Sequence, residues 1–211
     1  DGMSNGLTAP NPQAQEDVLR TAYSRAGIAP ASVQYVETHG PGTLLGDPIE
    51  AGALGAVLGV DRPADRPLRI GSVKTNIGHT EAAAGIAGLI KTVLAMRYGL
   101  LPKSLHFQTP NPAIAFESLR IRVQERLEPW PNFQGQRIAG VSAFGFGGTN
   151  CHVVLRSDPE GAARILPLAA SDPPGLMQEI LGVLPLVAGP KSAQDFDGLC
   201  REVSARVGSG P

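Results

Sequence analysis

Cysteine is scarce in this sequence of 211 residues: Cys151 and Cys200 are the two present, and they lie far apart. Such a pair makes no disulfide framework and no metal-type spacing, and a reducing cytoplasm is the expected compartment. A surplus of either charge is also lacking. Lys and Arg number 18, Asp and Glu 19, and the net charge is -1. With no basic stripe, nucleic acid is excluded as the main partner. No apolar run reaches the roughly eighteen residues that a membrane span needs. The nearest approach, residues 82–98, is interrupted by Lys91 and Arg97. Neither a signal peptide nor an internal repeat is found.

Glycine and proline, by contrast, are plentiful, at 26 and 19 residues, and they are spread out rather than gathered into a low-complexity tract. With 42% hydrophobic residues the length suffices for one core, or one core plus an appendage. The chain opens on Asp1, and Met3 heads no obvious first element, so the sequence reads as a piece of a longer polypeptide.

The stretch Arg69-Ile-Gly-Ser-Val-Lys-Thr-Asn-Ile-Gly-His-Thr-Glu81 organises the rest. Ile70 to Val73 reads as a short strand, and Lys74, Thr75, Asn76, His79 and Thr80 as a polar turn. Glu81 to Met96 reads as a buried helix, with Ile86, Leu89, Ile90, Val93 and Leu94 at offsets of three and four. Ala82, Ala83, Ala84, Gly85, Ala87 and Gly88 give that helix a face that a neighbouring backbone can approach. His79 is placed at the helix start, where the helix dipole favours a neutral ring. A neutral imidazole can donate to a developing oxyanion or act as a base; as a plain cap it would do neither.

A second junction of the same kind precedes it. Gln13 to Ala26 reads as a helix ended by Gly27, and Val33 to Glu37 as a strand. That strand runs into Thr38-His-Gly-Pro-Gly-Thr-Leu-Leu-Gly-Asp-Pro48, with Asp47 as N-cap and Pro48 as first residue of a small-residue helix to Leu58. Further strands are expected at Leu119–Val123, Arg137–Ser142 and Cys151–Leu155, with a glycine turn, Ala143 to Asn150, between the last two. After Arg156 the composition changes. A strand at Ile165–Ala169, a short helix at Gly175–Leu181 and an amphipathic helix at Phe196–Val207 are expected there.

His39 and His79 each follow a strand and precede a helix, so a parallel or mixed sheet would bring both to one edge. Together they would stabilise an oxyanion or shuttle a proton; the alternative is two structural histidines in polar turns. Lys74 either pairs with Glu81 or another carboxylate, or is a nucleophile with a lowered pKa. Gly145-Phe-Gly-Gly-Thr-Asn150 lacks the Gly-Lys-Ser/Thr of a P-loop and precedes a strand, which excludes nucleotide binding. Cys151 and His152 are neighbours on a strand and point to opposite faces, so they are not a catalytic pair. Cys151 is expected to be buried. His106 is assigned no role.

Taken together, Glu37 to Glu50, Ser72 to Gly85 and Phe144 to Asn150 resemble the β-ketoacyl synthase (ketosynthase) domain of modular type I polyketide synthases, and Asp1 to Pro10 fits the same family. The resemblance runs over residues 1–155. It implies an α/β, thiolase-like fold of two similar βαβαβ halves. This chain would be the C-terminal half (residues 1–156), with a mixed sheet and buried small-residue helices. Residues 157–211 are similar to the start of the linker towards an acyltransferase domain, a small α+β segment. The resemblance implies condensation of an acyl chain, held on a cysteine, with a malonyl-type extender on the phosphopantetheine arm of an acyl carrier protein. His39 and His79 match the family's two catalytic histidines, and Lys74 the lysine that orders the site. Thr43 matches a threonine that contacts the phosphopantetheine arm, with Asn76 as a further candidate contact, and Phe146 matches a phenylalanine that gates the pocket. No metal is implied, and no cofactor is bound directly.

Two departures qualify this. The family's nucleophilic cysteine lies in an N-terminal half not present in this sequence, so residues 1–211 alone are expected to be inactive. Pro41 stands where the family usually has threonine, removing a hydroxyl and a backbone N–H; weakened pantetheine contacts or a tilted His39 are the expected consequences. The alternatives are a non-elongating ketosynthase that binds carrier protein, and a scaffold piece that pairs with an N-terminal half without condensing. The resemblance also implies a homodimer in the intact parent.

Overall fold

The structure, a computed structural model, describes residues 10–131, 135–145 and 148–157. The chain divides into two compact units, Asp1–Ala163 and Arg164–Pro211, and every described residue lies in the first. The elements expected after Ser157, Cys200, the linker reading and Phe146 lie outside the described residues.

Asn11 opens the first helix, α1 (Pro12–Ala26): its side chain accepts from the Ala14 N–H, and Pro12 occupies the first turn. Gly27, at φ 62°, closes it in the left-handed conformation. The chain then forms β1 (Tyr35–Glu37), α2 (Gly46–Leu58) and β2 (Leu68–Gly71). A four-residue helix, α3 (Lys74–Ile77), and a 3-10 turn (Glu81–Ala83) lead into α4 (Ala84–Tyr98). β3 (Leu100–Leu101), β4 (Ile121–Val123), β5 (Glu128–Pro129), β6 (Ile138–Phe144) and β7 (Asn150–Arg156) follow.

The main sheet has five strands in the order β4-β2-β1-β6-β7. β4, β2, β1 and β6 run parallel, and β7 returns antiparallel to β6, making the mixed sheet that the resemblance implied. β3 and β5 form a separate antiparallel pair with no signal in the sequence pattern. Beside it the Trp130 N–H donates to the Gly99 carbonyl, and the Trp130 indole donates to Gln34.

Alternation along β1 divides the core. Val36 faces α1 and α2, with Leu19, Tyr23, Leu54, Val57 and Leu68 around it. Tyr35 faces α4, with Ala95, Met96, Leu101 and Trp130. Glu37, two residues on, shares that α4 side and is only 1% exposed.

Two expectations about helices are corrected. α4 begins at Ala84 rather than Glu81, and it is buried along its small-residue side only, not as a whole. Ile86, Ile90 and Leu94 are 53%, 55% and 40% exposed, while Ala84, Gly88, Thr92, Ala95 and Met96 are buried. The sheet comes closest at Gly85 and Gly88, where an added Cβ would stand 3.1 Å from Ala143 Cβ and 3.0 Å from Glu37 Cγ, so this side of the helix faces the sheet and the branched side is exposed. Cys151, expected to be buried, is exposed. Its neighbour His152 takes the interior side of β7, donating or accepting between Tyr23 Oη (3.0 Å) and Ser142 Oγ (3.0 Å).

Candidate functional site

Because β1, β2 and β6 are parallel neighbours, their carboxyl ends open at one edge of the sheet. Chain leaving β1 carries His39, chain leaving β2 carries Lys74 and His79, and β6 ends on Phe144. This edge is where α/β sheets gather ligand-binding groups.

Two buried carboxylates hold the exits. Glu50, in the first half of α2, accepts from the His39 N–H and the Gly40 N–H, each at 2.8 Å. Asp47 accepts from the N–H groups of Gly42 (3.1 Å) and Thr43 (3.3 Å). Asp47 is therefore not the N-cap expected of it. It sits inside the first turn of α2 and turns back to brace the loop. Gly40 lies at φ 41°, and a Cβ there would stand 2.7 Å from Thr38 Oγ1 and 3.2 Å from Ser72 Cβ, so the His39 loop can lie against the β2 exit only with glycine at that position.

The second exit is held from β1. Glu37 accepts from the Val73 N–H, and Tyr35 Oη (2.6 Å) and Lys91 Nζ (2.7 Å) donate to its other oxygen. The residues after Gly71 are thus not strand, as expected, but a bend that feeds the short helix carrying Lys74 and Asn76.

The rings of His39 and His79 meet edge to face, with centroids 5.4 Å apart and planes at 78°. The Phe144 N–H donates to His39 Nδ1 (3.4 Å), and the Glu81 N–H donates to His79 Nδ1 (2.9 Å). A ring nitrogen that accepts carries no proton, so in both neutral rings the hydrogen is on Nε2. At His79 the contact comes from the reversed backbone at Glu81, φ 49°, where the 3-10 turn that precedes α4 begins.

Burial, then the Lys74 ammonium, then His79 push His39 down to about 4, so its ring is neutral at pH 7. Burial also lowers Lys74, while Glu50 and Glu37 oppose that shift. These are the carboxylates Lys74 faces; Glu81, the partner considered from the sequence, is exposed. Glu50 is raised to about 7, burial outweighing the stabilising Gly40 and His39 N–H groups.

His39, His79 and Lys74 are therefore brought together, two imidazoles whose Nδ1 atoms are each engaged by a backbone N–H, beside the Lys74 amine. Thr43 and Asn76 stand on the same edge, exposed. Thr43 Oγ1 accepts from the Gly46 N–H (3.0 Å), and Asn76 Oδ1 accepts from Thr75 Oγ1 (3.3 Å). Among the described residues no group of three or more His, Cys, Asp or Glu side chains is placed to hold a metal ion. No helix of the described residues is long and apolar enough to cross a membrane. Sequence reasoning missed Glu37, Glu50 and the bracing role of Asp47. The available signal was a glutamate at the end of an apolar strand and another inside an otherwise apolar helix.

Comparison with known proteins bears on the family and the fold. Residues 1–108 match the model of the β-ketoacyl synthase C-terminal domain, and residues 110–178 that of the ketoacyl-synthetase C-terminal extension. A phenolphthiocerol/phthiocerol polyketide synthase of Mycobacterium tuberculosis is 63% identical over 160 residues, covering 76% of this chain and 8% of that protein. Erythronolide synthase EryA2 of Saccharopolyspora erythraea is 58% identical over 159 residues, covering 75% and 4%. The chain thus spans less than a tenth of these relatives. The ketosynthase from module 6 of the bacillaene synthase of Bacillus subtilis 168 superposes with a TM-score of 0.69 at 46% identity, covering 75% of this chain and 30% of that one. The chain belongs to the β-ketoacyl synthase family, and what it carries is the C-terminal region of a ketosynthase of the modular polyketide synthase type, in the thiolase-like fold.

Proposed function

We propose that this chain supplies the extender-activating half of a condensing site. The observation that carries the reading is the His39–His79 pair, each Nδ1 engaged by a backbone N–H so that both Nε2–H groups remain as donors. An acyl chain is held as a thioester on a cysteine of an N-terminal half. A malonyl-type extender arrives on the phosphopantetheine arm of an acyl carrier protein, with Thr43 and Asn76 as contacts for the arm and Phe146 at the pocket mouth.

The C–C bond to the extender carboxylate breaks and CO₂ leaves. Its electron pair becomes an enolate, whose oxygen receives hydrogen bonds from the two imidazoles. Neutral donors suit this step because they stabilise a charge that develops in the transition state. The enolate carbon then attacks the acyl thioester, a C–C bond forms, and the cysteine thiolate is released. Burial keeps His39 neutral, and Lys74 beside it works in the same direction.

The exposed row Ile86, Ile90 and Leu94 supports pairing with an N-terminal half, since that apolar face requires a cover. An adjacent acyltransferase domain, a homodimeric parent and a cytoplasmic location belong to the same reading. Release of CO₂ from a malonyl thioester by the intact ketosynthase, lost in H39A and H79A, tests it; unchanged release in both variants overturns it.

Pro41 favours a second reading, a ketosynthase that binds carrier protein without elongating. Against it, the loop does not depend on an N–H at position 41: Glu50 and Asp47 hold the backbone on either side of the proline. Under the condensing reading, P41T in the intact enzyme changes turnover by less than about threefold, the loss being confined to one hydroxyl contact. A gain of about a hundredfold supports the second reading.

A further inference from the structure

Glu37 is an acid where an acid is costly. It is 1% exposed, at the end of a wholly buried strand. Three bonds make it tolerable. Lys91 Nζ and Tyr35 Oη donate to one carboxylate oxygen, and Lys91 also donates to Tyr35 Oη at 3.0 Å, closing a triangle of side chains. The other oxygen is left for a single task, the Val73 N–H immediately before Lys74.

α4 is shaped around this arrangement. Gly88 lies directly over Glu37: a Cβ there would stand 3.0 Å from Glu37 Cγ and 3.5 Å from Val141 Cγ1. One turn further on, Lys91 reaches back to the carboxylate. A helix that opens a notch at one position and supplies a half-buried lysine at the next turn is organised about the acid. Packing alone would be served better by an apolar trio in place of Tyr35, Glu37 and Lys91.

We infer that Glu37, held by Lys91 and Tyr35 through the notch at Gly88, is a positioning residue: its grip on the Val73 N–H fixes the turn that carries Lys74 and leads to His79. Glu50 does the corresponding task for the His39 loop from α2, so each of the two exits is tied to its own buried carboxylate. Lys74 lies within the field of both acids, and a shift of its turn moves that cation relative to His39. The inference rests on the condensing reading for its consequence in turnover, but not for the clamp itself.

The test uses the intact ketosynthase that contains this chain. Hydrogen exchange over residues 72–79 and steady-state kinetics with a malonyl thioester are measured for E37Q, K91M, the double variant E37Q/K91M and G88A. The single variants leave one partner of the pair without the other, Glu37 buried or Lys91 half-buried, and G88A displaces the acid with both partners kept. Each is expected to speed exchange of the turn about tenfold or more. Each is also expected to lower kcat about tenfold or more with KM within about threefold, since displaced groups cost rate rather than binding. In the double variant a neutral carboxamide can still accept from the Val73 N–H and donate to Tyr35 Oη. Protection and kcat there are expected within about threefold of the parent. A fall in kcat per folded molecule with KM held is what a merely structural role would not give, and the double variant with G88A decides the matter if a single variant fails to fold. Unchanged exchange over 72–79 overturns the clamp whether or not the enzyme condenses. Faster exchange with kcat per folded molecule unchanged overturns the positioning role. A parent that releases no CO₂ overturns the reading under Proposed function, while the exchange data still decide this one.

Discussion

His39 stands edge-on to His79, ring centroids 5.4 Å apart, although one ring leaves the end of β1 and the other lies beyond the short helix after β2. The parallel pairing of those two strands is what makes the meeting possible. The backbone N–H groups of Phe144 and Glu81 then set both rings to the same tautomer.

Removing the brace under His39 is expected to act through the ring. Glu50 accepts two N–H groups, and a glutamine there offers one acceptor and turns an amide donor on the other. E50Q in the intact ketosynthase is expected to lose about 2 kcal/mol of stability, the cost of a buried unsatisfied donor. Turnover is expected to fall about tenfold or more as His39 loosens. Urea unfolding and turnover measured together check this; full stability with full turnover would show that the brace is idle.

Acid should weaken the fold in a defined window. Burial lowers His152 from 6.5 to about 4, so the folded chain keeps it neutral while the unfolded chain takes up a proton. The folded value is depressed, so the stability is present above pH 6.5 and is lost as pH falls from 6.5 towards 4. At about 1.4 kcal/mol per pH unit this approaches 3 kcal/mol at pH 4. His39, lowered to about 4, works in the same direction. H152Q should show a shallower fall in unfolding free energy between pH 6.5 and 4, whatever its value at neutral pH. An unchanged slope would mean that His152 is not held neutral.

The row Ile86, Ile90 and Leu94 is expected to behave as a contact surface. I90E, at a position 55% exposed, should cost the fold of this region little, because most of the side chain already faces solvent. It should weaken co-purification with a polypeptide bearing the N-terminal half by about tenfold or more, since an uncompensated charge enters an apolar contact. Equal recovery of both halves with and without the substitution would place the contact elsewhere.

Much of this is legible in the sequence, and the rest is not, for physical reasons. Strand, polar turn and helix can be read twice over because apolar residues and turn residues alternate cleanly there, and that is enough to bring His39 and His79 to one sheet edge. The Ile86–Leu94 row misleads because periodicity reports that a face exists, not which side it meets. A helix of alanine and glycine can turn its small side to the sheet and leave its large side out. Asp47 resembles a cap because Asp before Pro fits one; its use by the loop at Gly42 and Thr43 depends on a tertiary return that spacing does not encode. Glu37 and Lys91 are far apart in the chain, and only the packing of α4 over β1 reveals them as a pair.

We propose that His39 and His79 act together on an enolate, with the nucleophile supplied by another part of the enzyme. The most direct measurement is condensation by residues 1–211 co-expressed with a Cys-bearing N-terminal half, assayed with an acyl donor and a malonyl-loaded carrier protein. The account predicts product from the assembled pair and none from residues 1–211 alone. It also predicts a loss of about a hundredfold or more in H39A and in H79A. Product from residues 1–211 alone, or full condensation by both histidine variants, would contradict it.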